Sequence, residues 1–154
     1  MHSVLFVCTA NICRSPMAMG LLYNRVAKKA DPWKVESAGT WAIPGQPAAS
    51  NTRKVLLESK IDLAEHRSRT VTRELLYDFN LTLVMEQGQK EALRSEFPEI
   101  ASRVYRFSEM VGENFDIEDP IGGPLEAYRN TAQVIERILT EGFEKIRQLS
   151  ADQA

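Results

Sequence analysis

Residues 8–15 read Cys-Thr-Ala-Asn-Ile-Cys-Arg-Ser, with a thiol at one end of a short polar stretch and a guanidinium near the other. If the stretch joins a strand end to a helix N-terminus, its backbone N–H groups converge on one point. The helix dipole adds partial positive charge there, and the point becomes an oxyanion site. Arg14 supplies a planar fork that fits two oxygens of a phosphate. A thiol in such a field is favoured in its nucleophilic form, which makes Cys8 a candidate nucleophile rather than a packed residue at a strand end. Cys13 has two readings: a resolving thiol that captures an oxidised Cys8 as a disulfide, or a small packed side chain.

Transfer of a phosphoryl group from an ester also needs a proton for the departing oxygen. Two Asp-Pro steps compete for that role. Asp31 lies at the far end of the helix that would start at the loop, about 22 Å away at 1.5 Å per residue, and cannot reach. Asp119 lies in a loop rich in glycine and proline near the end of the chain, where it is a candidate acid rather than a plain turn residue. Asp116 and Glu118 are close enough in sequence to add like charge around it.

The elements that must position these groups follow from periodicity. Val4, Leu5, Phe6 and Val7 form an unbroken apolar run, the pattern of a strand covered on both faces. Ser15 then reads as an N-cap with Pro16 at the first helical position, and Met17, Leu21, Leu22 and Val26 follow at helical spacing. Lys28 and Lys29 would suit the end of that helix, with Asp31-Pro32 stopping it. Further strands are expected at 33–37, 80–85 and 103–107. Helices are expected at 48–59 and 87–97, and one long amphipathic helix runs from Leu125 through Ile146. The five terminal residues are expected to fray. Alternating elements with right-handed crossovers predict a small doubly wound α/β sandwich. Its core is a four-stranded parallel sheet with helices on both faces, and ligands belong outside the carboxyl ends of the strands.

Composition bounds the rest. The 154 residues suit a single domain, 1–154, and a formal net charge of -2 gives no reason to expect nucleic acid as partner. Two cysteines fit a reducing compartment, and no apolar run approaches the roughly 18 residues of a membrane span. With no signal-peptide pattern at the N-terminus, a cytoplasmic protein without membrane insertion is expected. Two histidines far apart and no metal-ligand spacing argue against zinc, and no cofactor is called for.

The loop from Val4 to Ala18 resembles that of the low-molecular-weight protein tyrosine phosphatases. The resemblance continues through Glu36-Ser37-Ala38-Gly39-Thr40, His66, Val84-Met85-Glu86 and Asp119-Pro120 to the terminal helix. It implies that Cys8 is the nucleophile, Arg14 the phosphate ligand and Asp119 the general acid. Residues 9–15 (Thr9, Ala10, Asn11, Ile12, Cys13, Arg14 and Ser15) would then wrap the phosphate, with Asn11, Ser15, Ser37 and His66 supporting the loop. The reaction would pass through a cysteinyl-phosphate, with Asp119 first giving and then taking a proton and no metal required. The implied partners are phosphotyrosine proteins, a tyrosine kinase among the candidates, with inorganic phosphate as product.

The chain also departs from that family. Ala10 stands where many members have glycine, and Ile121 where many have tyrosine. The stretch 41–47 is unusual, so Trp41 is either a wall of the cleft or a packed anchor of its loop. Ile12, Trp41 and Ile121 are the residues expected to line the substrate cleft. Arsenate reductases of the same fold relay oxidation through later cysteines, and this chain has none after Cys13. A phosphate-binding module would need neither a nucleophile nor an acid. Protein arginine phosphatases of this fold carry threonine at the position of Ile12, where a hydroxyl helps orient attack on a phosphoguanidinium.

Overall fold

The computed structural model describes residues 1–152. Four strands, β1 (His2–Cys8), β2 (Trp33–Gly39), β3 (Leu81–Val84) and β4 (Val104–Arg106), pair in parallel in the order β2-β1-β3-β4. Among the described residues six helices accompany them, four between the strands and two after β4: α1 (Arg14–Val26), α2 (Ser50–Glu58), α3 (Arg73–Tyr77), α4 (Gln87–Glu96), α5 (Leu125–Glu141) and α6 (Phe143–Ser150). The period of two along β1 explains its unbroken apolar run. Val4 and Phe6 face a core built with Met17, Leu22, Ile135, Leu139 and Ile146. Leu5 and Val7 face a second one built with Leu76, Phe79, Leu93 and Phe97. From β1 the chain turns to β2 on one side, and β3 takes the other side. The loops leaving β1 and β3 therefore flank a crevice at the switch point, where this fold class binds ligands.

The expected fold class holds, with local corrections. Ser15 does not cap α1: Cys13 occupies that position without a side-chain bond, and Ser15 lies inside the first turn with its hydroxyl engaged in the loop. The same helix ends at Val26, before Lys28 and Lys29, because residues 27–32 are all exposed and offer no face to bury. The long terminal helix is divided at Gly142. A Cβ there would lie 2.8 Å from the carbonyl oxygens of both Ile138 and Met110, so glycine permits close approach to the 3-10 turn Phe107–Val111. That turn, a second one at Pro98–Arg103, and α3 are too short for periodicity to reveal.

The chain end does not fray as far as it is described. Ala151 bridges to His2, and Asp152 meets the N-terminal amine at 2.8 Å and Asn80 Nδ2 at 3.0 Å. Gln153 and Ala154, the rest of that expectation, lie outside the described residues. Among the described residues, no helix is long and apolar enough to cross a membrane.

Candidate active site

The segment between β1 and α1 is shaped by what holds its carbonyl groups. Thr40 N–H donates to Cys8 O and Trp41 N–H to Thr9 O, both at 2.9 Å, and Ala49 N–H donates to Ile12 O at 2.8 Å. Nε2 of His66 bonds Asn11 O at 2.8 Å. With these oxygens drawn outward, no acceptor among the described residues takes a backbone N–H from Thr9 through Arg14. Asn11 has φ 60, and a left-handed residue of this kind within a loop helps turn successive N–H groups toward a common point. Ala10 does not share that conformation, so alanine in place of the family's frequent glycine introduces no backbone strain. Gly39 does need to be glycine, since a Cβ would stand 2.4 Å from Thr9 O.

Asn11 is also the hub of the buried polar network. Its Nδ2 donates to Ser15 Oγ at 2.8 Å and to Ser37 Oγ at 2.9 Å, while its Oδ1 accepts from Arg69 N–H at 3.1 Å. Ser15 Oγ lies 3.0 Å from Cys8 Sγ. Because the serine oxygen accepts from Asn11, its own proton goes either to the sulfur or to Ala38 O, 3.4 Å away. Burial lowers the pKa of His66, helped by the charges of Arg67 and Arg69 and opposed by the bond to Asn11. A neutral ring facing a carbonyl must carry its proton on Nε2. The structure thus brings Asn11, Ser15, Ser37 and His66 together around the loop. It adds Arg69, whose Nε also binds Ser37 O at 3.0 Å and which sequence reasoning did not single out.

Arg14 is only 2% exposed. Its Nη1 donates to Glu86 Oε2 at 2.5 Å and to Ile117 O at 2.8 Å. Nη2 lies 3.6 Å from Asp119 Oδ2, and Nε has no protein partner. One edge of the guanidinium is therefore clamped, and the Nε/Nη2 edge remains for a bidentate oxyanion. Glu86 is a site residue absent from the sequence-based set. Its neighbour Gln89 is another: Oε1 accepts from Met85 N–H at 3.1 Å and Glu86 N–H at 3.0 Å, and Nε2 donates to Thr9 Oγ1 at 3.0 Å. The signal available for Glu86 was a carboxylate directly after a buried strand on the ligand edge.

Asp119 stands beside Arg14, with Oδ1 accepting from Ile121 N–H at 3.1 Å and Oδ2 turned to the guanidinium. Asp116 does not crowd it with like charge. It bonds Arg106 Nη1 and Gln87 N–H, both at 2.9 Å, and although burial works against its charge, these partners hold its carboxyl below the usual range. Asp31 is remote, facing His2 Nε2 at 3.9 Å.

Cys13 is buried with Sγ 3.8 Å from the Tyr128 hydroxyl, and burial pushes its thiol up to about 11. That environment fits the packed reading of Cys13 better than the resolving one. At the rim, Trp41 is 82% exposed and Ile121 54%, so Trp41 is no packed anchor, and half-buried Ile12 lies between Asn11 and Cys13 in the loop.

Converging donors above a sulfur, with a carboxylate opposite, ask for a phosphate ester as occupant, and the class of protein they define is a phosphatase working through cysteine. The chain belongs to the low molecular weight phosphotyrosine protein phosphatase family, whose model matches residues 3–152. It is 37% identical over 147 residues to a protein-arginine-phosphatase of Geobacillus stearothermophilus, covering 95% of this chain and 97% of that one. It is equally 37% identical over 147 residues to the probable low molecular weight protein-tyrosine-phosphatase EpsP of Ralstonia nicotianae, covering 96% and 97%. A solved low molecular weight protein tyrosine phosphatase from T. tengcongensis superimposes with a TM-score of 0.90 at 38% identity, covering 94% of this chain and 99% of that one.

Proposed function

We propose that this phosphatase hydrolyses phosphotyrosine in proteins, with Cys8 as nucleophile, Arg14 as phosphate ligand and Asp119 as general acid. The Cys8 sulfur attacks phosphorus in line. The loop amides and the Nε/Nη2 edge of Arg14 hold the three equatorial oxygens. The ester P–O bond breaks, and the departing phenolic oxygen takes the Asp119 proton. Water then attacks the cysteinyl-phosphate, Asp119 accepts its proton, and inorganic phosphate leaves with the sulfur restored.

The observation that carries the tyrosine reading is the apolar mouth. Ile12 sits in the loop without a hydroxyl, and the exposed Trp41 and Ile121 stand on segments bonded to Thr9 and Asp119 respectively. Such a rim packs against a phenyl ring and leaves a phosphoguanidinium's N–H groups unpaired. A tyrosine kinase is a fitting substrate protein, and two free, buried thiols suit a cytoplasmic setting.

Arginine phosphatase is the second reading, because a protein of that name is among the similar relatives. Phosphotyrosine, phosphoarginine and phosphoserine peptides assayed side by side decide between them. We expect kcat/KM highest for phosphotyrosine, and Ile12→Thr should narrow its lead over phosphoarginine. A wild-type preference for phosphoarginine would overturn the substrate assignment and leave the cysteine chemistry in place.

A further inference from the structure

The loop that carries Asp119 is fastened to the phosphate loop at two places. At its entry, Ile117 accepts from Arg14 Nη1 at 2.8 Å and donates its N–H to Met85 O at 2.9 Å. From there residues 118, 119, 121 and 122 are exposed, and the segment holds itself by Ile121 N–H to Asp119 Oδ1 and Gly123 N–H to Pro120 O at 2.9 Å. At its exit the chain enters α5, and one turn in stands Tyr128, 3% exposed, its hydroxyl 3.8 Å from Cys13 Sγ. Cys13 directly precedes Arg14 and caps α1. The acid-bearing segment thus departs from Arg14 and returns to the neighbouring residue.

We propose that Tyr128 is a positioning residue for the general acid: through the Cys13 thiol its hydroxyl fixes the exit of the loop, and so the place of Asp119 relative to the leaving oxygen. The inference rests on the reading of Asp119 as that acid. Packing alone would be served by phenylalanine, whereas a buried phenolic hydroxyl is retained where it has a partner. Burial pushes Tyr128 up to about 12, with the Cys13 contact and the Asp119 charge adding to the rise and a hydrogen bond with the Gly122 backbone opposing it, and Cys13 stands at about 11. Both groups stay protonated near neutral pH, and the pin is a neutral hydrogen bond that does not titrate there.

The test uses a series of aryl phosphates from good to poor leaving groups, read as kcat/KM, which covers events up to loss of the aryl oxygen. Tyr128→Phe should lower kcat/KM for phenyl phosphate about tenfold and for a dinitrophenyl phosphate less than about twofold, since only the poor leaving group needs the proton. Competitive inhibition by inorganic phosphate should stay within about twofold, because the donors of Arg14 and the loop are untouched. Amide exchange at Ile121 and Gly123 should speed up, with β1 unchanged as the sign that the fold is intact. Cys13→Ala, which removes the sulfur partner of the Tyr128 hydroxyl, should steepen the leaving-group dependence in the same direction as Tyr128→Phe. Asp119→Asn separates the two claims. If it steepens the leaving-group dependence while Tyr128→Phe lowers the whole series equally, or leaves exchange unaltered, Tyr128 has no positioning role and Asp119 stands. A flat series in Asp119→Asn would remove the acid itself, and the inference with it.

Discussion

Arg14 Nη1 lies 2.5 Å from Glu86 Oε2, joining the start of α1 to the second residue after β3 across the switch point of the sheet. The guanidinium is almost fully buried and the carboxylate is partly open to solvent. The pair gives a buried cation a carboxylate at hydrogen-bond distance, where its other carboxylate neighbour, Asp119, stands 3.6 Å off. It also turns the guanidinium so that its other edge faces the loop.

Glu86→Ala should therefore hurt twice. Leaving Arg14 without this partner is expected to cost about 1–3 kcal/mol of stability, at the low end of the buried-pair range because the carboxylate is partly solvated. Freed from its clamp, the fork should also bind inorganic phosphate more weakly. Glu86→Gln keeps an acceptor and should lose less on both counts. Urea denaturation and phosphate titration of the two variants check this, and equal behaviour of wild type and Glu86→Ala would show that Ile117 O alone orients Arg14.

Cys8→Ser is expected to abolish multiple turnover of phosphotyrosine peptides while phosphate still binds, because the loop amides and Arg14 remain and a serine hydroxyl is a far weaker nucleophile near neutral pH. In the wild-type protein, iodoacetate should alkylate Cys8, with phosphate protecting it. Cys13 should stay unmodified at neutral pH, since burial holds its thiol at about 11. Peptide mass mapping reads both. Alkylation of Cys13 ahead of Cys8 would contradict the assignment of the nucleophile.

The residues that touch the oxyanion site were legible because their types and spacing lie within one continuous stretch. Cys8 and Arg14 need only the strand before them and the helix after them, and both elements announce themselves by hydrophobic period. Glu86 entered only within a matching stretch and without a role, and Gln89, Arg69 and Tyr128 not at all: each meets the loop across more than fifty residues of sequence, and nothing local in a Glu-Gln-Gly-Gln turn says which arginine it will face. Helix ends misled for a related reason. Ser15-Pro16 carries the signature of a cap, yet its hydroxyl is drawn to Asn11 and Cys8, a tertiary demand that outweighs the local preference.

His66 gives the site a pH-dependent contribution to stability. Its folded pKa is depressed, first by burial and then by Arg67 and Arg69, below the ordinary value of about 6.5. A histidine held neutral in the folded state favours folding fully above its unfolded pKa, and that share is lost as pH falls through the folded value. Stability should therefore drop more steeply between pH 7.5 and pH 5 in the wild type than in His66→Gln, which can still donate to Asn11 O without titrating. Denaturant midpoints at three or four pH values measure the difference. Parallel curves would mean that the unfolded chain protonates His66 no more readily than the folded one.

Gly39→Ala tests whether the close packing of β2 on the phosphate loop is needed for catalysis. The added Cβ would meet Thr9 O at 2.4 Å and the Ala10 carbonyl carbon at 3.2 Å, both backbone atoms that cannot swing away as a side-chain end can. Relief requires the end of β2 to move off the loop. That movement stretches Thr40 N–H to Cys8 O and Trp41 N–H to Thr9 O, two of the bonds that keep carbonyls out of the oxyanion site. The expected loss is about 1–3 kcal/mol of stability, with a fall in kcat/KM that persists at temperatures where the variant is fully folded. Gly88→Ala is the control. It lies in α4 with no atom within 4 Å of the added Cβ, so it should be neutral or stabilising by about 0.5 kcal/mol, with activity unchanged. Thermal melts and kcat/KM toward one aryl phosphate compare the pair, and full activity in folded Gly39→Ala would show that the loop keeps its shape without the strand pressed against it.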